Sequence, residues 1–202
     1  MTKIKFGEML TELRKKIEKK EIENLPSYVF EGEVIVVEDP EQVEPIAEHL
    51  KLQRLLGFDT ETRPAFHKGE VHRVSLLQLA TDHEVYLFRL NKCGFRPALR
   101  KLLGDPQIVK IGVGIRDDIR NLQKLEKFCP EAFIDMQTYA EKFGIEDKSF
   151  SKLMAIIFGV RISKRQQTSN WEVQELTEAQ IRYAATDAWG ALKMYQRLSA
   201  GV

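Results

Sequence analysis

Cysteine is scarce in this chain: Cys93 and Cys129 are the only two, far apart and without a C-x-x-C partner. That spacing suggests neither a disulfide framework nor a cysteine zinc site, and both are expected as buried, reduced thiols. Long apolar runs are missing too. No stretch approaches the roughly 18 residues that span a bilayer, so no membrane partner is expected. Met1 to Lys20 lacks the apolar stretch of a secretory signal, which makes the cytoplasm the expected location. Net charge is almost absent, at +1. Near-neutrality alone neither supports nor excludes a polyanionic partner, because acids that hold cations still count as negative. Internal repeats and low-complexity stretches are also lacking.

What is present is an ordinary globular composition, 43% hydrophobic and 30% charged over 202 residues. That length suits one sizeable core and is short for two. Residues 7–20 read as an amphipathic helix, with Leu10, Leu13 and Ile17 at helical spacing among lysines. A solvated basic face is the simplest reading of it; contact with phosphates or an acidic membrane is the alternative. Pro26 breaks the chain, so residues 1–32 are expected as an N-terminal helical extension and 33–202 as the compact domain.

Strands and helices then interleave. Val34–Val37 reads as a strand, and Asp39 with Pro40 starts a helix running toward Arg54. Leu55–Thr60 is a short apolar run ending in acids. Val74–Ala80 and Val85–Phe88 are strand-like around the turn Thr81-Asp82-His83-Glu84. Helices are expected over Pro97–Leu103, Ile115–Phe128 and Glu178–Leu198, with strands at Ile108–Ile111 and Phe133–Asp135. Hairpin strands followed by strands between helices imply an α/β fold: a mixed sheet flanked by helices, in an order that resembles a ribonuclease H-like sheet.

Three places carry chemistry. In Gly57-Phe58-Asp59-Thr60-Glu61-Thr62 the strand alternation puts Asp59 and Glu61 on one side. Paired acids at a buried strand end repel unless a cation neutralises them, and carboxylate oxygens suit Mg²⁺ and Mn²⁺. A surface turn with two solvated acids would read the same. In Gly112-Val113-Gly114-Ile115-Arg116-Asp117-Asp118 a glycine-flanked strand end feeds a helix whose first turn is acidic. The helix dipole alone favours acids there, and the two glycines fall short of a dinucleotide fingerprint. On the last helix, Tyr183 and Asp187 stand four apart on one face, with Ala184 and Ala185 between them. A structural Tyr–Asp hydrogen bond would explain that pair by itself.

Taken in order, the three places resemble the motifs of the DEDDy exonucleases, the family of ribonuclease D and the Werner syndrome exonuclease domain. Asp59-x-Glu61 is similar to the first motif, Asp118-x-x-x-Leu122 to the second and Tyr183-x-x-x-Asp187 to the third. The resemblance covers roughly residues 33–200 and looks closest to short bacterial members with little beyond this domain. The family spacing selects Asp118 over Asp117, which would point about 100° away on the helix. The histidine of the DEDDh branch would fall at Arg182, so Tyr183 marks the tyrosine branch.

The resemblance implies a 3′–5′ exonuclease that uses two divalent cations, Mg²⁺ or Mn²⁺, on DNA or RNA with a free 3′ end. Nucleoside 5′-monophosphates would be the product. Asp59 would bridge both ions, Glu61 and Asp187 would complete the first site, and Asp118 would act at the second through water. Tyr183 would orient the attacking water. Nucleic-acid contacts are expected at Thr60 and Thr62 of the first motif and in the loop Arg161–Trp171, at Lys164, Arg165, Asn170 and Trp171. Trp171 either stacks on a base or packs under its loop. No zinc role is expected for His67 or His72. Larger members carry additional binding domains, for which residues 1–32 are too short, so structure-specific binding is not expected. A silent binding module and a hydrolase of small nucleotides are the competing readings.

Overall fold

The computed structural model of the chain describes residues 13–200. One six-stranded sheet contains β1 (Glu33–Val37), β2 (Leu55–Thr62), β3 (Val74–Ala80), β4 (Glu84–Arg89), β5 (Val109–Gly112) and β6 (Phe133–Asp135). The helices are α1 (Lys19–Glu23), α2 (Pro40–Leu50), α3 (Leu90–Cys93), α4 (Pro97–Leu103), α5 (Arg116–Leu125), α6 (Met136–Tyr139), α7 (Phe150–Phe158) and α8 (Glu178–Ser199), with a 3-10 turn at Ala140–Phe143. Across the sheet the order is β1-β4-β3-β2-β5-β6. β2, β3 and β4 are antiparallel neighbours, while β1, β5 and β6 join parallel to theirs. This is the expected α/β, ribonuclease H-like sheet. No described helix is long and apolar enough to cross a membrane.

Side-chain alternation divides the core between two faces. Phe58, Leu77 and Leu79 pack with Leu99 and Leu122 beneath α4 and α5. Leu76 and Ala80 face Trp171, Ala184 and Ala188, and Ile111 meets α7 and the end of α8. β3 is buried along its whole length, as a central strand covered on both faces must be.

The expected N-terminal helix is corrected. Residues 7–12, Leu10 among them, lie outside the described residues; 13–18 are not helical, and α1 is five residues long. Residues 13–32 strap across the domain instead. Ile17 is buried and its N–H donates to Asp147 Oδ2 at 2.9 Å. Glu146 N donates to Lys15 O at 2.9 Å, Tyr28 N to Arg161 O at 3.0 Å, and Phe30 N to the Thr186 hydroxyl at 3.0 Å. These bonds tie the segment to the α7–α8 layer, so the packed unit extends N-terminal to Glu33. Sequence periodicity could not show this, because an extended strap takes its partners from distant residues. Two helices are also shorter than expected: α2 stops at Leu50, and α5 covers only Arg116–Leu125. Cys93 is buried, its thiol pushed up to about 11 by desolvation, but Cys129 is exposed rather than buried.

The contact that positions the site is between β2 and α8. A Cβ on Gly57 would come within 2.1 Å of Ala188 O, so the bare glycine lets the helix backbone lie directly on the strand. Gly57, Asp59 and Glu61 alternate onto this same face, and Asp187 is the residue before Ala188. Gly57→Ala should therefore overpack the contact at a cost of about 1–3 kcal/mol, several degrees in Tm for a chain of this size. Thermal unfolding checks this. An unchanged Tm would mean that α8 is free to lift off β2.

Candidate active site

Asp59 and Glu61 project from the end of β2 toward α8, where Asp187 meets them. Ligand-capable oxygens of the three carboxylates lie within 4.8 Å of one another. Burial and mutual repulsion act on each. Desolvation, then the charges of Asp187, Asp118 and Glu61, push Asp59 well above the usual carboxylate range. The same causes raise Glu61 to about 9, and burial raises Asp187 to about 7, against a hydrogen bond from the Tyr183 phenol. No lysine or arginine figures among the groups that shift Asp59, Glu61 or Asp187. Asp187 Oδ1 is buried without a hydrogen-bond partner. An orphaned anionic oxygen inside an all-carboxylate cluster fits a hard divalent cation, whose preferred ligands are such oxygens. The donor set therefore suits Mg²⁺ or Mn²⁺.

Asp118 reaches the site from the other face, on the first turn of α5. It stands outside the three-acid group, its Oδ1 accepting the Thr60 hydroxyl, yet its charge raises both Asp59 and Glu61. Burial also raises Asp118 itself. Asp117 points into solvent with its side chain 83% exposed and pairs with Arg120 at 3.3 Å. Two glycines set this corner. A Cβ on Gly112 would strike Ile115 and Phe58 O, and Gly114 adopts φ 73° where its N–H donates to Asp135 Oδ1 at 2.9 Å. They turn the chain from β5 into α5 and have no need of a nucleotide.

Tyr183 is half-buried beside Asp187. Burial, then the Asp187 and Glu61 charges, push its phenol up, so the hydroxyl stays protonated. Its ring packs against Trp171, centroid to centroid at 6.2 Å. Trp171 is 0% exposed and offers no face to a base; of its two expected roles, packing under the loop is the one present. Thr60 spends its hydroxyl on Asp118, and Thr62 sits at the β-bulge where β2 meets Val74. Lys164 and Arg165 are exposed. Lys164 lines a separate cleft of about 350 Å³ with Lys19 and Lys152, which includes none of the acids. Asn170 is exposed, and its Oδ1 accepts the Glu172 N–H at 3.0 Å. The structure thus gathers the acids, Thr60, Tyr183 and Trp171, and sets Lys164 in a separate cleft.

Two contributors escape sequence reading. Gln78, opposite Asp59 on β3, is fully buried with neither amide atom hydrogen-bonded. Arg89 is fully buried at the end of β4; it donates to Glu38 Oε1 at 2.8 Å, to Gln174 O at 2.8 Å and to Val173 O. That clamp holds the segment leading into α8. An arginine closing an apolar strand carries no sequence signal of burial. The start of α8 did carry one: Thr177 and Gln180 form a capping box, a pattern visible as T-x-x-Q.

The raised acids make a linkage prediction. A carboxyl whose folded pKa exceeds its unfolded value contributes stability below the unfolded value and loses it as pH rises through the folded one. In EDTA, Tm should fall as pH climbs from about 4.5 toward 9, the two values bounding Glu61. Mg²⁺ or Mn²⁺ should flatten the curve, and Asp187→Asn should reduce its slope. A Tm that stays level across this window without metal would show that the acids do not repel as their geometry requires.

Comparison with known proteins agrees with this geometry. A family model described as 3′–5′ exonuclease matches residues 34–202. The chain is 31% identical over 186 residues to the bifunctional 3′–5′ exonuclease/ATP-dependent helicase WRN of Mus musculus, covering 87% of this chain and 13% of that protein. It is 31% identical over 167 residues to ribonuclease D of Gluconacetobacter diazotrophicus, covering 81% of this chain and 42% of that one. The chain thus spans less than half the length of these curated relatives. Among solved structures, the Aedes aegypti Nibbler EXO domain superposes with a TM-score of 0.78 at 25% identity, covering 87% of this chain and 92% of that one. Escherichia coli RNase D shares the fold, with a TM-score of 0.75 at 22% identity over 85% of this chain and 45% of its own. The chain belongs to the 3′–5′ exonuclease family that includes ribonuclease D and the WRN exonuclease.

Proposed function

We propose that the protein removes nucleotides one at a time from the 3′ end of DNA or RNA, using two divalent cations and releasing nucleoside 5′-monophosphates. The observation that carries this reading is the unpartnered Asp187 Oδ1 on a carboxylate grouped with Asp59 and Glu61, whose ligand-capable oxygens lie within 4.8 Å of one another, with the Tyr183 hydroxyl on the same Asp187. Asp59, Glu61 and Asp187 would hold one cation. Asp118, kept in place by Thr60, would serve the other, with Asp59 shared. Bound cations supply acidity to the attacking water and offset charge on the departing 3′ oxygen.

The chain's own residues do the positioning. The protonated Tyr183 hydroxyl orients the water for in-line attack on phosphorus and cannot take its proton, because burial beside two acids holds the phenol protonated. Trp171 backs the ring and fixes where the hydroxyl lies. As the water oxygen, its proton lost to solvent, bonds to phosphorus, the bond from phosphorus to the 3′ oxygen breaks, and that oxygen takes a proton from solvent to become the 3′-hydroxyl of the shortened strand. A module that only binds nucleic acid would have no use for mutually repelling acids, and all four are present.

Labelled oligonucleotides should shorten from the 3′ end in single-nucleotide steps with Mg²⁺ or Mn²⁺, stop in EDTA and resist when the 3′ end is blocked. Cleavage of a circular single strand would sink the exonuclease reading. Hydrolysis confined to mononucleotides would favour a small-nucleotide hydrolase.

Tyr183→Phe keeps the packing on Trp171 and removes only the oxygen. Turnover should fall about 10²–10⁴-fold, the range for a positioned proton-handling group, with oligonucleotide affinity little changed. Wild-type turnover in this variant would reduce the phenol to a structural role.

A further inference from the structure

A cleft of about 840 Å³ opens beside the acids without including any of them. Its wall is reached from the acids through α5 and through the neighbours of β2 and Tyr183. Val74 pairs with Thr62, the residue after Glu61. Leu125 lies at the far end of α5, the helix whose first turn holds Asp118. Glu172 directly follows Trp171, on which Tyr183 packs. A strand seated with its 3′ end at the carboxylates therefore has this cleft as a neighbour.

The charge of the cleft is the reverse of the catalytic cluster. Its two acids are already paired with arginines, Glu126 with Arg100 at 2.8 Å and Glu172 with Arg63 at 3.3 Å. Arg73 and Arg96 are exposed on its rim, and among the described residues neither has an ion-pair partner. Arg96 Nε donates to Cys93 O at 2.9 Å, which fixes the side chain and leaves its two terminal nitrogens for an anion. Beneath them the floor is apolar, from Val74, Leu90 and Phe95. A small inorganic anion has no use for that floor; a chain of phosphates joined to flat bases uses both.

The connector between β2 and β3 adds an exposed aromatic. Phe66 and Val71 are 72% and 87% exposed. The turn that presents them is built: one Glu70 oxygen accepts the N–H groups of Phe66 at 3.0 Å and His67 at 3.2 Å, and the other meets His72 Nε2 at 2.8 Å. His72 in turn reaches Glu172 of the cleft wall. An exposed aromatic on the same connector as the unpaired Arg73 matches the stacking-plus-phosphate pattern of single-strand binding.

We propose that this cleft is a second binding site for the nucleic-acid strand, taking phosphates of the stretch 5′ to the scissile bond on Arg73 and Arg96 and a base on Phe66. The 5′ placement rests on the exonuclease reading; binding in the cleft does not need the cations. The test is fluorescence anisotropy of a labelled single-stranded oligonucleotide on the full chain in EDTA, across a salt series. Arg73→Glu and Arg96→Glu should each weaken binding roughly tenfold, the value of one charge-assisted hydrogen bond to phosphate. Each should also reduce the salt slope by about 0.7 for every phosphate left without its arginine. Phe66→Ala should weaken binding and leave the salt slope alone. With Mg²⁺ or Mn²⁺, the arginine variants should narrow the preference, in kcat/KM, for a long oligonucleotide over a dinucleotide. Unchanged affinity and slope in both arginine variants, with wild-type melting curves, would overturn the proposal. So would an equal loss on dinucleotide and long substrate, which would locate the arginines' effect at the acids. A wild-type chain that binds in EDTA through these arginines but cleaves nothing with either cation overturns the exonuclease reading and leaves the cleft standing.

Discussion

Carboxylates that repel one another are brought together here by packing that has nothing electrostatic to gain. Gly57 allows the backbone of α8 to rest on β2, and Asp187 thereby arrives within 4.8 Å reach of Asp59 and Glu61. The surrounding apolar contacts oppose that repulsion; Ala184, Ala185 and Ala188 are all buried against the sheet. Local destabilisation of this kind persists only where the rest of the structure overdetermines the geometry. The raised acids are its physical signature, and a bound divalent cation would relieve it.

Much of the remaining fold restrains α8. Its N-terminus is closed by the Thr177–Gln180 capping box, and Gln180 also donates to Asn170 O at 3.1 Å. The strap grips the middle of the helix: Phe30 N donates to Thr186 at 3.0 Å, and Arg182 Nη1 to Gly32 O at 2.8 Å. Farther on, Trp189 Nε1 donates to Asp82 O at 3.2 Å in the β3–β4 turn. The buried Arg89 holds the approach to the helix through Gln174 and Val173. Losing one partner of such a buried network is costly, because the charge left behind stays desolvated. Tyr183 and Asp187 thus sit on a helix pinned along most of its length, which fixes the phenol and the carboxylate relative to each other.

The two faces of β2 share the chemistry unequally. On the α8 side stand three acids and the phenol; on the α5 side Asp118 is held by Thr60. Thr60, expected as a contact to nucleic acid, is occupied in orienting a carboxylate. The basic groups lie outside this centre, so a polyanion would be drawn first to the rim, and the cluster itself would attract it only with cations bound.

Local rules of the chain were enough for the α/β class, the hairpin of β3 and β4, and the start of α2 at Asp39 and Pro40. Those rules are two-residue alternation and proline at a first helical turn. The acids and Tyr183 were legible only through the family resemblance, because each pattern taken alone also had a plain structural reading. The choice of Asp118 over Asp117 came from the family spacing, and the exposed Asp117 beside the inward Asp118 has the same sense. Other features arose only when distant segments met. Residues 13–32 became a strap because their partners lie more than a hundred residues away. Trp171 became the buried backing of Tyr183, and Arg89 a clamp, because a side chain's burial depends on what folds over it. Helical and strand periods report which face a residue takes; they hold no information about which distant segment will cover that face.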